Sequence, residues 1–231
     1  MRKKKYRFVL SWLILVFSLG LSFQGLDAQD EIQLAKAAQM KKKDPTLKIR
    51  WDKNTGVPTR LAGKLSDRVE ADAKEIALRF FRDNKALFKI TDPRKEIYVT
   101  AINKDARKWN HVKLQQVYKS LPVEGKTIVV HINDNNEIRV VSGHYMPGIS
   151  LNTTPTVASP KAIAVAKKDL DPKKEITEIP KAQLVIYPYK NKSYLTWKIL
   201  LVSTSPLGEF IYYVDARTGD VIYRYNNLKF R

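Results

Sequence analysis

The sequence has no cysteine and only three histidines among its 231 residues. Without cysteine it can form no disulfide, no thiolate nucleophile and no cysteine-ligated zinc site. It also has no H-E-x-x-H motif, in which two histidines on one helical face bind zinc, and no G-x-S-x-G nucleophile elbow. No glycine-rich loop opens a helix to hold phosphate. The sequence therefore predicts a protein without catalytic residues, without a cofactor and without a metal site.

The histidines His111, His131 and His144 each lie on or beside a predicted strand. His111 and His131 could occupy neighbouring strands and share a metal ion. Because zinc sites need three or four protein ligands, two histidines without a nearby third ligand do not make such a site. We expect a structural role for them.

The first 28 residues have the layout of a secretory signal peptide. A basic segment, Arg2 to Arg7, precedes an uncharged apolar run from Phe8 to Phe23, and Ala28 is a small residue suited to a cleavage point. The run is about 16 residues long, short of the ~20 that a spanning helix needs. We expect export from a bacterial cell, and the alternative is an uncleaved N-terminal membrane anchor.

Basic residues dominate the charge of the chain. The formal net charge is +19, and removal of residues 1–28 leaves 37 basic against 22 acidic residues, a charge of +15. Such a field favours an acidic protein surface, an anionic cell wall or nucleic acid, or serves solubility alone. Nucleic-acid binding would require aromatic residues interleaved with the basic ones, whereas most tyrosines here alternate as strand core, so we expect none.

The first predicted unit covers residues 47–149 and follows a polar lead-in, residues 29–46, that is expected to enter the fold loosely. A D-x-x-T-G turn at Asp52 joins two short strands. An apolar stripe predicts a helix over Asp72 to Ile90, broken near Asp83-Asn84. Four strands are predicted to form an antiparallel sheet under this helix: Glu96 to Asn103, the stretch from His111, Thr127 to Ile132 and Glu137 to Ser142.

The second predicted unit covers residues 159–228, after a linker at 150–158 and before a tail at 229–231. Ser159 is the expected N-cap of a helix with Pro160 in its first turn. A second D-x-x-T-G turn occurs at Asp215. The strands are expected at Gln183 to Tyr187, Tyr194 to Ser203, Phe210 to Val214 and Val221 to Tyr225. The predicted class is α+β, with two consecutive units that each pack a helix on an antiparallel sheet.

The stretch from His111 to Gly125 is the most unusual in the chain. Its alternation predicts a strand that ends at a proline, with two adjacent glutamines directed to opposite faces. On one face we expect Val112, Leu114, Gln116 and Tyr118, packed under the Ile76–Phe80 side of the helix. The other face is expected to carry Lys113, Gln115, Val117 and Lys119.

These residues resemble a known family. The helix A-x-x-I-A-x-x-F-F, then H-V-K-L-Q-Q-V-Y-K-S-L-P-V-E-G and T-I-V-V-H-I-N-D-N-N-E-I, look like the fungalysin/thermolysin propeptide (FTP) motif, with Ser120 where glycine is usual. The second unit, with S-P-K-A-I-A-V-A and Y-V-D-A-R-T-G-D-V-I-Y-R-Y-N-N-L, resembles a PepSY domain. Signal peptide, FTP motif and PepSY domain, in that order, are similar to the pro-region of thermolysin-type zinc metallopeptidases.

The resemblance implies a cystatin/PepSY-like fold and a non-catalytic protein that inhibits a secreted thermolysin-like metallopeptidase and assists its folding, in cis or in trans. The chain stops where the catalytic domain of such a precursor would begin. A different class of function stays open, a basic cell-surface module that binds wall polyanions. The residues matched to the family motifs, as structural or interface residues, are His111, Gln115, Gln116, Tyr118, Pro122, Val123, Gly125, Asp215, Thr218 and Gly219. The residues expected to contact the peptidase are Tyr223, Tyr225, Asn226 and Leu228.

Overall fold

The computed structural model describes residues 28–173, 176 and 178–228. A helix packs on an antiparallel sheet twice in succession, which confirms the predicted α+β class. The predicted signal peptide, except for Ala28, and the tail 229–231 lie outside the described residues. Among the described helices, none combines the length and the apolar character needed to cross a membrane.

The helices are α1 (Ala28–Lys43), α2 (Ala73–Asp83), a 3-10 helix (Lys85–Phe88), α3 (Pro93–Glu96) and α4 (Ser159–Leu170). The strands are β1 (Lys48–Trp51), β2 (Pro58–Ala62), β3 (Ile97–Lys104), β4 (Asn110–Tyr118), β5 (Leu121–Ile132), β6 (Ile138–Gly143), β7 (Lys181–Tyr189), β8 (Lys192–Thr204), β9 (Leu207–Asp215) and β10 (Val221–Asn226).

The ten strands form one continuous sheet. Its order is β1-β2-β6-β5-β7-β8-β9-β10, and β4 pairs with both β3 and β5. The pairings are antiparallel except for that of β5 with β7, which is parallel and runs through Val123 and Ile186. Strand β5 therefore belongs to the sheets of both units, a connection that the sequence did not predict.

The lead-in is a helix rather than a loose segment. In α1 the buried side chains are Gln33, Ala37 and Met40. The Gln33 amide donates to the carbonyl oxygens of Leu87 at 2.7 Å and Gly56 at 2.9 Å. The prediction was wrong because a hydrogen-bonded glutamine, one alanine and one methionine, rather than a stripe of large apolar residues, attach this helix to the fold.

Helix α2 covers the first sheet. The Asp72 carboxylate accepts the backbone N–H of Glu75 at 2.8 Å and caps the helix, which ends before the 3-10 helix as predicted. Ile76 and Phe80 of α2 join Val112 and Leu114 of β4 in one buried cluster. Burial of such side chains contributes about 1.5–3 kcal/mol each, so this layer pair is the main source of stability in the first unit.

Helix α4 covers the second sheet. Its buried stripe of Ala162, Ala166 and Leu170 packs on the β8–β9 hairpin. The predicted N-cap was misplaced by one residue: Ala158 holds the cap position without a side-chain hydrogen bond, and Ser159 is already helical.

Both D-x-x-T-G turns form in the same way. The carboxylate of Asp52 accepts the second and third amides beyond it, at 2.8 and 3.2 Å, and that of Asp215 does so at 2.7 and 3.1 Å. Gly56 and Gly219 take φ values of 66° and 86°, which lie in the left-handed region that glycine favours.

The strand that begins near His111 does not end at the proline. Strand β4 ends at Tyr118, and Lys119 and Ser120 form a two-residue turn with φ values of 47° and 68°. Two left-handed central residues match the right-handed twist of a hairpin, which is why the chain reverses here. Pro122 lies in β5, opposite Val117.

Replacement of Ser120 by glycine should stabilise the protein. An L-residue in the left-handed conformation destabilises the folded state by roughly 1–2 kcal/mol, and glycine removes this strain. The larger entropy of glycine in the unfolded state offsets roughly half of the gain. We expect a gain of about 0.5–1 kcal/mol in the free energy of unfolding, measured by urea denaturation.

Ser193→Gly is the matched control. Ser193 lies in strand β8 without a positive φ, so glycine should there lower the free energy of unfolding. A destabilised Ser120→Gly protein would contradict the strained turn.

Candidate functional site

The family-motif residues surround a bend in β5, where the strand leaves the first sheet and enters the second. Gln115 pairs with Thr127, and Val117 pairs with Pro122. Between these two pairs β4 has one residue and β5 has four. Gly125, with a φ of 69°, lies in the excess segment. The irregularity leaves backbone carbonyl groups of β5 without partners from β4.

The side chain of Gln115 occupies the gap that this bulge creates. Its amide nitrogen lies 2.7 Å from the carbonyl oxygen of Val123, 2.9 Å from that of Gln116 and 3.2 Å from that of Lys126. A primary amide has two N–H donors, so it can serve two of these acceptors fully at one time. Gln115 thereby replaces the ladder hydrogen bonds that the bend removes.

Gln116 and Tyr118, the Q-x-Y pair, bind the connection between the two units. The buried Gln116 amide donates to the carbonyl of Met146 at 2.7 Å, and its oxygen accepts the Met146 N–H at 2.9 Å. The Tyr118 hydroxyl donates to the Leu151 carbonyl and accepts the Leu151 N–H, both at 3.2 Å. Each side chain donates one hydrogen bond to the backbone of the connection and accepts one from it, as the backbone of a neighbouring strand would.

This arrangement differs from the predicted position of Tyr118. The alternation of β4 is unbroken because the excess residues lie in β5, but beyond the bend Tyr118 is half-buried and packs with Val123 of β5 and Leu195 of the second unit rather than under α2. Val112 and Leu114 lie in the core under α2 as predicted.

The predicted linker, residues 150–158, has no helix or strand but is hydrogen-bonded to the second unit. The amides of Thr156 and Val157 both donate to the carbonyl of Ala216 at 2.9 Å, and the Trp197 indole donates to the Val157 carbonyl at 2.7 Å. An ion pair of 2.8 Å between Lys198 and Glu124 adds a link from β8 to β5. The two units are therefore joined by the strand, the connection and this ion pair.

His111 lies on the open face of the first sheet, opposite His131 in β5. Their Nδ1 atoms are 2.7 Å apart, and His111 Nε2 is 3.0 Å from the carboxylate of Asp105. Within the described residues no group of three histidine, cysteine or acidic side chains is placed to hold a metal ion. The two rings can instead bind and release protons.

The predicted peptidase-contacting segment contains strand β10, as predicted for Val221 to Tyr225, and the strand extends to Asn226. Its tyrosines belong to a group of five on one face of the second sheet, here termed the tyrosine cluster. The rings of Tyr187 and Tyr213 stack with centroids 3.8 Å apart, and Tyr223 and Tyr225 at the edge are 40% and 38% exposed. The members of the cluster are Tyr187, Tyr189, Tyr213, Tyr223 and Tyr225.

Burial in this cluster changes the acidity of its phenols. Desolvation, followed by the neighbouring tyrosines, raises the pKa of Tyr187 to about 12, and burial and Glu124 also raise the pKa of Tyr213. Tyr187 and Tyr213 are therefore uncharged at physiological pH, and Tyr223 and Tyr225 place hydroxyl groups and rings at the exposed edge of the cluster.

Asn226 fixes the end of β10. Its side-chain oxygen accepts the amides of Glu209 at 3.2 Å and Leu228 at 2.9 Å, and its nitrogen donates to the Leu207 carbonyl at 3.2 Å. Arg224 on the opposite face forms an ion pair of 2.8 Å with Asp169 in α4. The segment is thus held through Leu228, and its contact with a peptidase stays a prediction.

The structure divides the motif residues into separate groups. The glutamines, Tyr118, Pro122, Val123 and Gly125 surround the bend, while His111 lies several residues away along the ladder. Asp215, Thr218 and Gly219 form the second turn. The partners Met146 and Leu151 contribute only backbone atoms, so no residue pattern in the sequence marks them.

Comparisons with known families agree with this division. The model of the fungalysin/thermolysin propeptide motif matches residues 95–145. The model of the peptidase propeptide and YPEB domain matches residues 160–225. The order of these two domains defines a propeptide class of protein.

The chain is also similar to part of several known peptidases. Bacillolysin of Brevibacillus brevis is 28% identical over 193 residues, which cover 78% of this chain and 36% of that protein. Thermolysin of Alicyclobacillus acidocaldarius is 26% identical over 192 residues, covering 77% and 34% respectively. The chain thus spans about a third of the length of these relatives. The chain carries an FTP motif followed by a PepSY domain, the arrangement of a thermolysin-type pro-region, which confirms the resemblance.

Among solved structures, the C-terminal domain of YpeB from Bacillus megaterium is 11% identical with a TM-score of 0.37, covering 89% of this chain and all of that one.

Loss of the Gln116 side-chain amide should destabilise the protein strongly. Gln116→Leu keeps the approximate size but puts an apolar side chain against the N–H and C=O of half-buried Met146, which lose their partners. An unsatisfied buried group costs about 1–3 kcal/mol, so we expect a loss of about 2–4 kcal/mol in the free energy of unfolding, measured by chemical denaturation.

Gln183→Leu serves as the control for this substitution. Gln183 is exposed in strand β7, and its replacement should change the free energy of unfolding by less than about 0.5 kcal/mol. Equal effects at the two positions would show that the bond to Met146 carries no special stability.

Proposed function

We propose that this protein is a non-catalytic propeptide that inhibits a secreted thermolysin-like metallopeptidase and assists its folding, in cis or in trans. The observation that carries the proposal is the match of both propeptide models, in the order of a pro-region, along a chain related to bacillolysins and thermolysins. Residues 1–28 would direct its export as a signal peptide, with an uncleaved anchor as the alternative.

The geometry supports a pre-organised inhibitor. Nanomolar inhibition requires about 12 kcal/mol and typically about 1,600 Å² of buried surface. Ordering a flexible tail would consume part of that free energy, whereas β10 is already held by β9 and by Asn226. The joined units offer the peptidase one rigid body instead of two independent ones.

The exposed edge of the tyrosine cluster suits a protein partner. Tyrosine is enriched in interfaces because it combines a large rigid ring with a hydroxyl group, and the exposed rings of Tyr223 and Tyr225 stand side by side. The net charge of the exported part would speed encounter with an acidic enzyme surface.

The direct test mixes the purified chain, without residues 1–28, with several thermolysin-like peptidases. We expect inhibition of casein hydrolysis that persists at moderate salt, because buried apolar contacts are not screened, and a higher yield of active enzyme on refolding. The chain alone should hydrolyse no casein, with or without zinc. Absence of both inhibition and refolding assistance across these enzymes would exclude the proposal.

The double substitution Tyr223→Ala/Tyr225→Ala should weaken inhibition at least tenfold, because the loss of two interface anchors costs more than 1.4 kcal/mol. Tyr98→Ala is the control, since Tyr98 is an equally exposed strand tyrosine of the first unit, at 45%. Inhibition constants give the comparison, and equal constants for the two variants would remove the tyrosine cluster from the interface.

The second candidate is a basic cell-surface module that holds wall polyanions through its lysines. The charge of the chain favours it. Since that binding would rest on exposed charges, it should collapse between low and physiological salt and should affect no peptidase. Sedimentation with purified cell walls at several salt concentrations distinguishes it from the propeptide function.

A further inference from the structure

The paired histidines of the first sheet have no part in the proposed function. His111 in β4 and His131 in β5 are direct neighbours across the ladder. Their rings meet edge to face, with centroids 4.8 Å apart, and their Nδ1 atoms are 2.7 Å apart. A carboxylate oxygen of Asp105 lies 3.0 Å from Nε2 of His111. The hydroxyl oxygen of Ser142 lies 3.3 Å from Nε2 of His131.

One arrangement of protons satisfies this whole chain of contacts when both rings are neutral. The Nε2–H of His111 donates to the Asp105 carboxylate, which leaves His111 Nδ1 as an acceptor. The Nδ1–H of His131 then donates to that atom. The Ser142 hydroxyl donates to the remaining nitrogen of His131, so a single proton lies between the two Nδ1 atoms.

The arrangement accepts one added proton but not two. A first proton binds Nε2 of His131, which then donates to Ser142, and the bond between the Nδ1 atoms survives. A second proton has to bind His111 Nδ1. Two N–H donors would then face each other across 2.7 Å while both rings carry a positive charge, so the contact must open.

The groups around the pair act in opposite directions. Asp105, in the β3–β4 turn, favours a charged ring, and Arg60 of β2 opposes one, while β6 contributes the neutral Ser142. Desolvation, His111 and Arg60 together lower the pKa of His131. Although burial opposes its ionisation, hydrogen bonds from Trp109 and His111 keep the pKa of Asp105 below its usual value, so Asp105 stays ionised while the histidines titrate.

We propose that the histidine pair makes the pairing of β4 with β5 sensitive to acid: the contact is closed with at most one added proton and is forced open when both rings are protonated. A shared metal ion is a poorer explanation. Two tetrahedral zinc ligands would hold their nitrogens about 3.3 Å apart, and within the described residues no third ligand is at hand.

The direction of the pH effect follows from proton binding. Unfolded histidines titrate near pH 6.5, and the folded pair resists its second proton, so the unfolded state binds more protons below that pH. The stability contributed by the pair is therefore fully present above about pH 6.5 and is lost as the pH falls below it. Each unit by which the folded pKa is lowered corresponds to a tenfold change in the folding equilibrium constant.

Nitrogen NMR of the histidine rings tests the proton count in the unmodified chain without residues 1–28. We expect His111 and His131 to titrate in two coupled steps separated by at least one pH unit. Two independent titrations near pH 6.5 at His111 and His131 would overturn the proposal.

Urea denaturation between pH 8 and 5 tests the consequence for stability. In the unmodified chain the folding equilibrium constant should fall about tenfold more over this range than in His131→Gln, whereas His144→Gln should follow the unmodified chain. Amide protection factors, which are corrected for the intrinsic exchange rate at each pH, should be lower at pH 5 than at pH 7 at Val112 and Val130, beside the pair, with Val214 of the second unit as the internal control. Equal pH dependence in His131→Gln and the unmodified chain would refute the inference, and so would an unchanged protection factor at Val112.

Discussion

Every long-range feature of this molecule depends on one hydrogen-bonding constraint, the need to satisfy the backbone where β5 passes from one sheet to the other. A strand that bends out of its ladder leaves polar groups unpaired, and each such group costs free energy when it is buried. Gln115 and Gln116 supply the missing partners from opposite faces of the same strand, one to β5 itself and one to Met146. The adjacent glutamines of β4 are therefore what permits one strand to serve two sheets.

The elements that the sequence predicted are those with a strong periodic signal. Helix α2 has large apolar residues on one side, and the strands of the second unit alternate regularly, so local pattern and tertiary packing agree. Helix α1 gave no such signal because its buried residues are one glutamine, one alanine and one methionine rather than a stripe of large apolar residues. The bulge after Gln115 could not be predicted, because the register of β4 depends on backbone atoms of β5 that are distant in sequence.

The candidate site, too, could be predicted only in part from the sequence. The sequence singled out Gln116 and Tyr118, but their partners Met146 and Leu151 act through main-chain atoms, for which any residue type except proline would serve. The tyrosines of β7 and β9 were predicted as strand core, and Val221 to Tyr225 as a strand, but it was not predicted that their rings would meet. The rings of Tyr187 and Tyr223, from strands that are not neighbours, lie 6.3 Å apart and belong to one surface.

Because of where the histidine pair lies, its protonation would affect more of the structure than the contact between the two rings. His131 is six residues from Gly125 along β5, and this strand carries the parallel pairing with β7 that joins the two units. A change that separates β4 from β5 at His111 shortens the ladder that fixes β5 on the side of the first unit. The strands β7, β9 and β10 that carry the tyrosine cluster keep their own pairings, and α4 stays packed on the opposite face of their sheet. Acid would therefore loosen the junction between the units before it unfolded the surface proposed to meet the peptidase.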